Sequence, residues 1–468
     1  MNVNPITRLD YPDPDVIRVE DTYYMVSTTM HFMPGCEILQ SFDLVHWEHA
    51  TYVYETLDHT DAQQLKSGQN IYGQGMWAAS LRYHEGRFYI CFVANDTRKT
   101  YLYTSEKIDG PWKKQLIEGF YHDGSLLFDE DGRNYIVYGN DEIWITELNE
   151  DLTAPKKDGL HRLLVSDHKN PELGYEGSHI QKINGYYYIF LIHSLRDRWM
   201  RTEACFYSDS LEGEFTGGDV LCDDRGYCGQ GVAQGGIVDT PDGKWYAMLF
   251  QDSGAVGRLP ILLPVTWKDH FPVFGQNGHV PEEIEVHSTR PGYIYQPLVG
   301  SDDFCNGLLP RWQFNHDPDP RYYHLDALQG TYTITTREVC TELTQAVNTL
   351  TQRMSYPSCA AEVTVDASAL KEGDVAGLCA LQSCYAAVGI TKHHGKYEVL
   401  MLDKKEDGIL DMTEGTVVES HQMDFRLEAD FCNMKDEARC YYRVNKGRSE
   451  EHTSELQSHH DLVCRLLL

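Results

Sequence analysis

The feature that most constrains this chain is a phrase it repeats five times: a tight polar turn followed at once by an aromatic, alternating run. The copies are "EDTYYMVSTT" from Glu20, "EGRFYICFVA" from Glu85, "DGRNYIVYGN" from Asp131, "NGYYYIFLIH" from Asn184 and "DGKWYAMLFQ" from Asp242. Turn pairs such as DG and NG ahead of alternating aromatic and aliphatic residues are hairpin signals. Aligned on Tyr24, Tyr89, Tyr135, Tyr188 and Tyr246, the copies recur at intervals of 65, 46, 53 and 58 residues. Each is expected to lead into a further strand: "SFDLVHWEHA", "SEKIDGPWKK", "NEDLTAPKK", "SDSLEGEFTGG" and, after the fifth, "RLPILLPVTWKD". Multi-strand units at this period read as propeller blades, since a sandwich does not usually repeat one hairpin phrase in this way. Residues 1–297 are therefore predicted to form a five-bladed β-propeller, and the fold class is all-β.

The repeat also aligns polar residues. Twelve positions before Tyr135 is Asp123, before Tyr188 is Glu176, before Tyr246 is Gln234 and before Tyr89 is Trp77; eleven before Tyr24 is Asp13. Residues at one phase of successive blades meet around the propeller axis, so these five should share one mouth of the channel. Taken singly, each has a plainer explanation. Asp13 in "DYPDPD" suits a proline or Asx turn, Asp123 a hairpin cap, Glu176 a solvated edge and Trp77 the core. "DYPDPD" lacks the Gly and terminal Glu of an EF-hand loop. The shared phase favours function. Carboxylates gathered without basic partners raise one another's pKa values, and two in unequal environments supply a general acid and a general base, the equipment for glycosidic bond cleavage. Phe32 and Trp77 could wall a sugar ring. His179 reads as either a supporting donor or a strand histidine, and Arg258 in "GAVGRLP" is a candidate cation.

A formal net charge of −31 disfavours nucleic acid, anionic lipid and acidic polysaccharide partners, and leaves neutral substrates open. "MNVNPITRLD" has no apolar signal region and no run of about 18 apolar residues exists, so a cytoplasmic protein with no membrane partner is expected. The 13 cysteines show no regular spacing and read as reduced, mostly buried thiols.

Three stretches carry a resemblance. "YPDPDVIRVEDTYYMVSTT", "HDGSLLFDEDGRNYIVYG" and "YEGSHIQKINGYYYIF", in this order and spacing, resemble the acidic motifs of glycoside hydrolase family 43, the β-xylosidase and α-L-arabinofuranosidase family. The resemblance spans nearly the whole chain. It implies a five-bladed propeller and hydrolysis by single displacement with inversion. Release of xylose or arabinose from the non-reducing end of short pentose oligosaccharides is the expected activity, with a closed pocket at the channel mouth implying exo-action. It implies Asp13 as general base, Glu176 as general acid kept protonated by burial and the Asp123 charge, and Asp123 as the acid that tunes pKa. Phe32, Trp77, Gln234, Arg258 and His179 then form the substrate-binding set. No metal or cofactor is required; a central calcium is possible in the family, but Gln234 stands where many members carry His. Ala79 stands where "WAP" is usual, and Met30–His31 precede Phe32 where an aromatic is frequent. Endo-action on arabinan or xylan, a non-catalytic glycan-binding propeller and a fructan-cleaving retaining enzyme are the alternatives, the last without its Asn-Asp-Pro-Asn opening.

From Ser301 the pattern changes to short alternating strands such as "AAEVTVDASAL", "AGLCALQ", "AAVGITK" and "KYEVLMLD". Residues 298–447 read as an accessory β-sandwich. The final stretch, 448–468, resembles translated adapter sequence. If it is foreign, the native chain is cut short near Lys446, the sandwich lacks its last strands and a sheet edge is bare. The oligomeric state is not legible.

Overall fold

The computed structural model describes residues 2–405, 407–444, 450–455 and 465–467, the last two stretches by backbone only. Every copy of the repeated phrase becomes the first hairpin of a four-stranded antiparallel meander. The first sheet comprises Asp15–Val19, Thr22–Val26, Gly35–Ser41 and Glu48–Tyr54, and the second Met76–His84, Arg87–Ala94, Lys99–Ser105 and Lys113–Ile117. The third comprises Ser125–Phe128, Asn134–Asn140, Glu142–Leu148 and His161–Ser166. The fourth comprises Glu176–Ile183, Tyr186–Ser194, Arg201–Ser208 and Thr216–Leu221, and the fifth Val232–Asp239, Trp245–Asp252, Arg258–Lys268 and Phe271–Phe274. The turns follow their chemistry. Glu85–Gly86 and Asn184–Gly185 are two-residue loops with positive φ at both positions, the type I′ geometry that matches strand twist. Phe92, Phe190 and Phe250 in the second strands are fully buried, each contributing about 1.5–3 kcal/mol.

The first strands contact one another in series and the fifth contacts the first, so the sheets close into a ring. Each inner strand supplies one residue to a polar plug in the central channel. Arg82 donates to Asp15 Oδ2 at 2.7 Å and to Ser125 Oγ at 2.7 Å, and His179 Nδ1 meets Asp15 Oδ1 at 3.1 Å. Gly236 completes the layer; a Cβ there would lie 3.3 Å from His179 Nδ1. Burial alone would lift the Asp15 carboxyl, but Arg82, His179 and the Leu81 amide hold it below the ordinary value.

One reading needs correction. "SEKIDGPWKK", "NEDLTAPKK" and "SDSLEGEFTGG" are mostly the turns between third and fourth strands, not strands themselves, and residues 42–47 of "SFDLVHWEHA" are likewise the turn before its fourth strand. They concentrate Gly, Pro, Asn, Asp and Ser, residues that favour turns over ladders. The cysteines also differ from expectation: of the twelve described, six are buried and five are exposed.

The C-terminal region is a β-sandwich. One sheet is built on Val375–Leu381, Tyr385–His393 and Lys396–Lys404, and the other on Ser358–Asp366, Gln422–Asp430 and Glu437–Val444. Leu378, Val388, Ile390 and Val399 of the former pack against Phe425, Leu427, Ala438 and Cys440 of the latter. Backbone strands at Glu450–Glu455 and Arg465–Leu467, within the stretch read as foreign, pair with Glu437–Val444 and with Leu350–Arg353 and Val375–Leu381. Cys464 lies outside the described residues. The larger sheet extends through Gln313–Asn315 to Phe32–Met33, a strand contributed by the N-terminal region. The two regions are thus joined by backbone pairing as well as by side chains.

Candidate active site

Three inner strands carry a register shift at one place, between Met76 and Ala79, Glu176 and His179, and Ala233 and Gly236. A bulge re-aims the residues beside it, which is why a fixed count back from the aromatic strand reached Trp77, Glu176 and Gln234. Asp13, Asp123, Gly177 and Gln234 all have left-handed φ, of 53°, 48°, 65° and 58°. Non-glycine residues pay for that conformation, and such outliers cluster at functional sites.

The third and fourth sheets bring Asp123, Glu176 and His122 together. The Gly177 amide donates to Asp123 Oδ2 at 3.0 Å, and Asn140 Nδ2 donates to Glu176 Oε2 at 2.6 Å. His122 Nε2 lies 3.5 Å from Glu176 Oε2 and 3.7 Å from Asp123 Oδ2. Burial lifts the Asp123 carboxyl to about 6, opposed by His122 and assisted by repulsion from Glu176 and Asp13. The negative field of Asp123, with Glu176 and Asp13 adding to it, raises the His122 imidazole to about 9 against the cost of burial. The Glu176 side chain is 21% exposed, against 6% for Asp123 and 5% for Asp13, so the acid expected to be sheltered by burial is the least buried of the three. The Gln234 side chain packs on Gly177, where any Cβ would collide with it. The Gln234 backbone N–H donates to Glu203 Oε2 at 2.7 Å, and burial pushes that carboxyl well above its usual range.

The first and fifth sheets supply the other side. Thr28 Oγ1 donates to Asp13 Oδ2 at 2.6 Å, and Arg258 Nη1 donates to Asp13 Oδ1 at 2.9 Å. Arg258 Nε reaches Asp252 Oδ1 at 3.3 Å, and Asp252 also pairs with Arg201, so charges alternate along the chain Asp13–Arg258–Asp252–Arg201. Both guanidinium groups lie against the Phe250 ring.

Asp13, Asp123, Glu176 and Gln234 therefore converge as the repeat implied, and Arg258, which the repeat did not place, joins them on Asp13. The acids do not meet without basic partners, however: Arg258 and His122 stand among them. His122 adjoins Asp123 in "HDGS" and was passed over; an ionisable neighbour of a phased acid was the available signal. Thr28, Asn140, Asp252 and Arg201 carried no periodic signal. His179 is turned to Asp15 in the channel, so it belongs to the plug rather than to the sugar-facing set. Trp77 is half-buried at its bulge. Phe32 is 5% exposed, packed beside His31 with ring centroids 4.2 Å apart. The Met30–Met76 backbone bridge ties its segment to that of Trp77.

A central calcium does not fit these residues. Calcium takes six to eight oxygen ligands, whereas the channel carboxylate Asp15 is already satisfied by a guanidinium, an imidazole and an amide. One atom each of His122, Asp123 and Glu176 lie within 4.8 Å of one another, a set of three that includes a nitrogen and falls short of the oxygen shell calcium takes.

Fold and site together define an acid–base enzyme of glycosidic bonds. The chain matches the model of glycosyl hydrolases family 43 over residues 3–272, and it belongs to that family. Residues 301–461 match the beta xylosidase C-terminal concanavalin A-like domain, a match that runs into the stretch read as foreign. A beta-xylosidase of Formosa agariphila is 27% identical over 463 residues, covering 86% of this chain and 76% of that protein. A non-reducing end alpha-L-arabinofuranosidase of Bacteroides ovatus is 24% identical over 437 residues, covering 88% of this chain and 79% of that protein. The solved structure of a bifunctional GH43-CE protein of Bacteroides eggerthii is 40% identical with a TM-score of 0.91. It aligns with 99% of this chain, which spans 61% of that longer protein.

Proposed function

We propose that this chain is an inverting, exo-acting glycosidase that releases xylose or arabinose from the non-reducing end of short pentose oligosaccharides. The five meanders are read as the blades of a five-bladed propeller, with residues 1–297 catalytic and 298–447 accessory. The observation that carries the reading is the division of the carboxyl groups. Asp13 is held by Arg258 and Thr28 on one side, while Glu176 and Asp123 share His122 on the other. Similarity to proteins named beta-xylosidase and alpha-L-arabinofuranosidase supports the pentose.

Asp13 takes a proton from water as its oxygen attacks the anomeric carbon. The glycosidic C–O bond breaks, and Glu176, the most exposed of the three acids, gives its proton to the leaving oxygen. Asp123 holds the Gly177 amide and so aims the adjacent Glu176. Both carboxyl groups return to their starting states by exchange with solvent. Each proton transfer contributes roughly 10²–10⁴-fold, and an inverting pair leaves about 6.5–9.5 Å between carboxyl groups for the water.

The test is a panel of aryl β-xylosides, aryl α-L-arabinofuranosides and xylo-oligosaccharides. Release of monosaccharide from at least one series is expected. Cleavage of polymeric xylan or arabinan into oligosaccharides without monosaccharide would replace this reading with endo-action. Glycan binding without any release of reducing sugar would replace it with a binding module.

A further inference from the structure

The loops that bear Asp13 and Arg258 are both engaged by the C-terminal sandwich. Arg353, at the end of the sandwich strand Leu350–Arg353, is buried. Its guanidinium carbon lies 4.2 Å from the centre of the Tyr11 ring. Its Nε donates to the Asp10 carbonyl at 2.8 Å and its Nη1 to Glu37 Oε2 at 2.7 Å. Asp10 and Tyr11 in turn hold Arg258 by its backbone. The Arg258 amide donates to Asp10 Oδ1 at 2.8 Å, and the Tyr11 amide donates to the Arg258 carbonyl at 3.0 Å. Gly257 has φ of 105°, and a Cβ there would collide with the Asp10 carboxylate.

The turn before Arg258 is gripped from its other end. Ala255, Val256 and Leu259 lie in the sandwich core with Met354, Leu378 and Phe431. Asp436 Oδ2 accepts the Ala255 amide at 3.0 Å. Backbone pairing of Leu9 with Ser355, and the Tyr356 amide on the Arg8 carbonyl, flank the same contact. A guanidinium buried against a carbonyl, a ring and a carboxylate is a costly way to glue two domains when apolar side chains would serve. What it adds over apolar contact is direction: it fixes the height and tilt of the Asp10–Asp13 segment.

We propose that the sandwich is a positioning element of the active site, with Arg353 and Asp436 as positioning residues that hold the Asp13–Arg258 pair in register. The proposal rests on the reading of Asp13 as general base. Displacement of a reacting group by about 1 Å can cost 10²-fold, so loosening either grip acts on turnover rather than only on stability.

The test uses the full chain with Arg353→Lys, with Arg353→Met combined with Glu37→Gln so that no lone charge stays buried, with Asp436→Ala, and with Asp13→Asn as control. The values of kcat and KM are measured across pH on an activated aryl glycoside and normalised to the folded fraction. In the Arg353 and Asp436 variants, kcat is expected to fall by about 10- to 100-fold with KM changed much less. The acidic limb of kcat/KM moves as Arg258 shifts relative to Asp13, and Arg353→Lys recovers part of both effects. A lowered melting temperature with kcat and the pH limb unchanged would overturn the proposal, leaving the sandwich a stabiliser. If the double variant does not fold, Asp436→Ala decides by the same criteria. Wild-type rates in Asp13→Asn would overturn the base assignment and this inference with it. Wild-type profiles in the Arg353 variants beside an inactive Asp13→Asn would overturn the inference alone.

Discussion

The two sides of the site are built from different materials. His122, Asp123, Asn140 and Glu176 come from the neighbouring third and fourth sheets and hold one another by contacts inside the ring. Asp13 and Arg258 come from the first and fifth sheets, and their loops are fastened to residues 343 and 181 positions further along the chain, in the sandwich. One side is a local product of the repeat; the other depends on a second domain. The difference separates what the propeller alone can do from what it can do only when covered.

The largest expected effects distinguish the two sides by chemistry. Glu176→Gln should lower kcat/KM by roughly 10²–10⁴-fold on oligosaccharides and recover most of that loss on glycosides with activated leaving groups. Asp13→Asn should lose as much and recover little, because the attacking water still lacks its base. Steady-state rates on a leaving-group series read this directly, and parallel behaviour of the two variants would erase the division.

Next comes the field on the acid side. Histidine NMR should show His122 titrating near 9, and in Asp123→Asn the midpoint should drop by a unit or more, each unit being about 1.4 kcal/mol. A His122 that titrates near 6.5 in both proteins would show that the acids do not share it.

A smaller effect probes the sandwich grip. Burial raises Asp436 to about 6 against the Ala255 amide. A carboxyl raised on folding contributes stability that is fully present below about pH 4 and lost as pH climbs through 6. Relative to Asp436→Asn, the protein should therefore lose about 1–3 kcal/mol between pH 4 and 6.5, measured by denaturant unfolding at each pH. A flat difference would mean that burial does not raise the Asp436 carboxyl.

The smallest effect lies in the channel that both sides share. Gly236→Ala places a methyl 3.3 Å from His179 Nδ1, on backbone without positive φ. A loss of roughly 1 kcal/mol is expected, with kcat unchanged. A large fall in kcat would mean that the plug, and not only the mouth, tunes the acids.

Much of this was legible because propeller geometry turns sequence period into spatial neighbourhood. The aligned Tyr positions marked all five second strands, and counting back reached Trp77, Glu176 and Gln234 because bulges recur in step in the second, fourth and fifth sheets, and reached Asp123 in the third sheet without one. Arg258 was legible as a candidate cation in "GAVGRLP", and as a substrate-binding residue only through family resemblance; it lies on Asp13. What was not legible has a common cause. Arg353 and Asp436 act across a domain boundary, where no periodicity links partners. His179 shares a strand with Glu176, but the bulge between them sends the histidine into the channel. The segments "SEKIDGPWKK", "NEDLTAPKK" and "SDSLEGEFTGG" read as strands by their place after the aromatic runs, and their turn chemistry prevailed.

The central claim is that a water, activated by Asp13, meets the sugar opposite the bond that Glu176 protonates. Proton NMR of the first turnovers on an accepted aryl glycoside tests it most directly. The sugar should appear first as the anomer of opposite configuration to the substrate and only then mutarotate. First appearance of the retained anomer would contradict the account, since it requires a carboxylate, not water, to have attacked the ring.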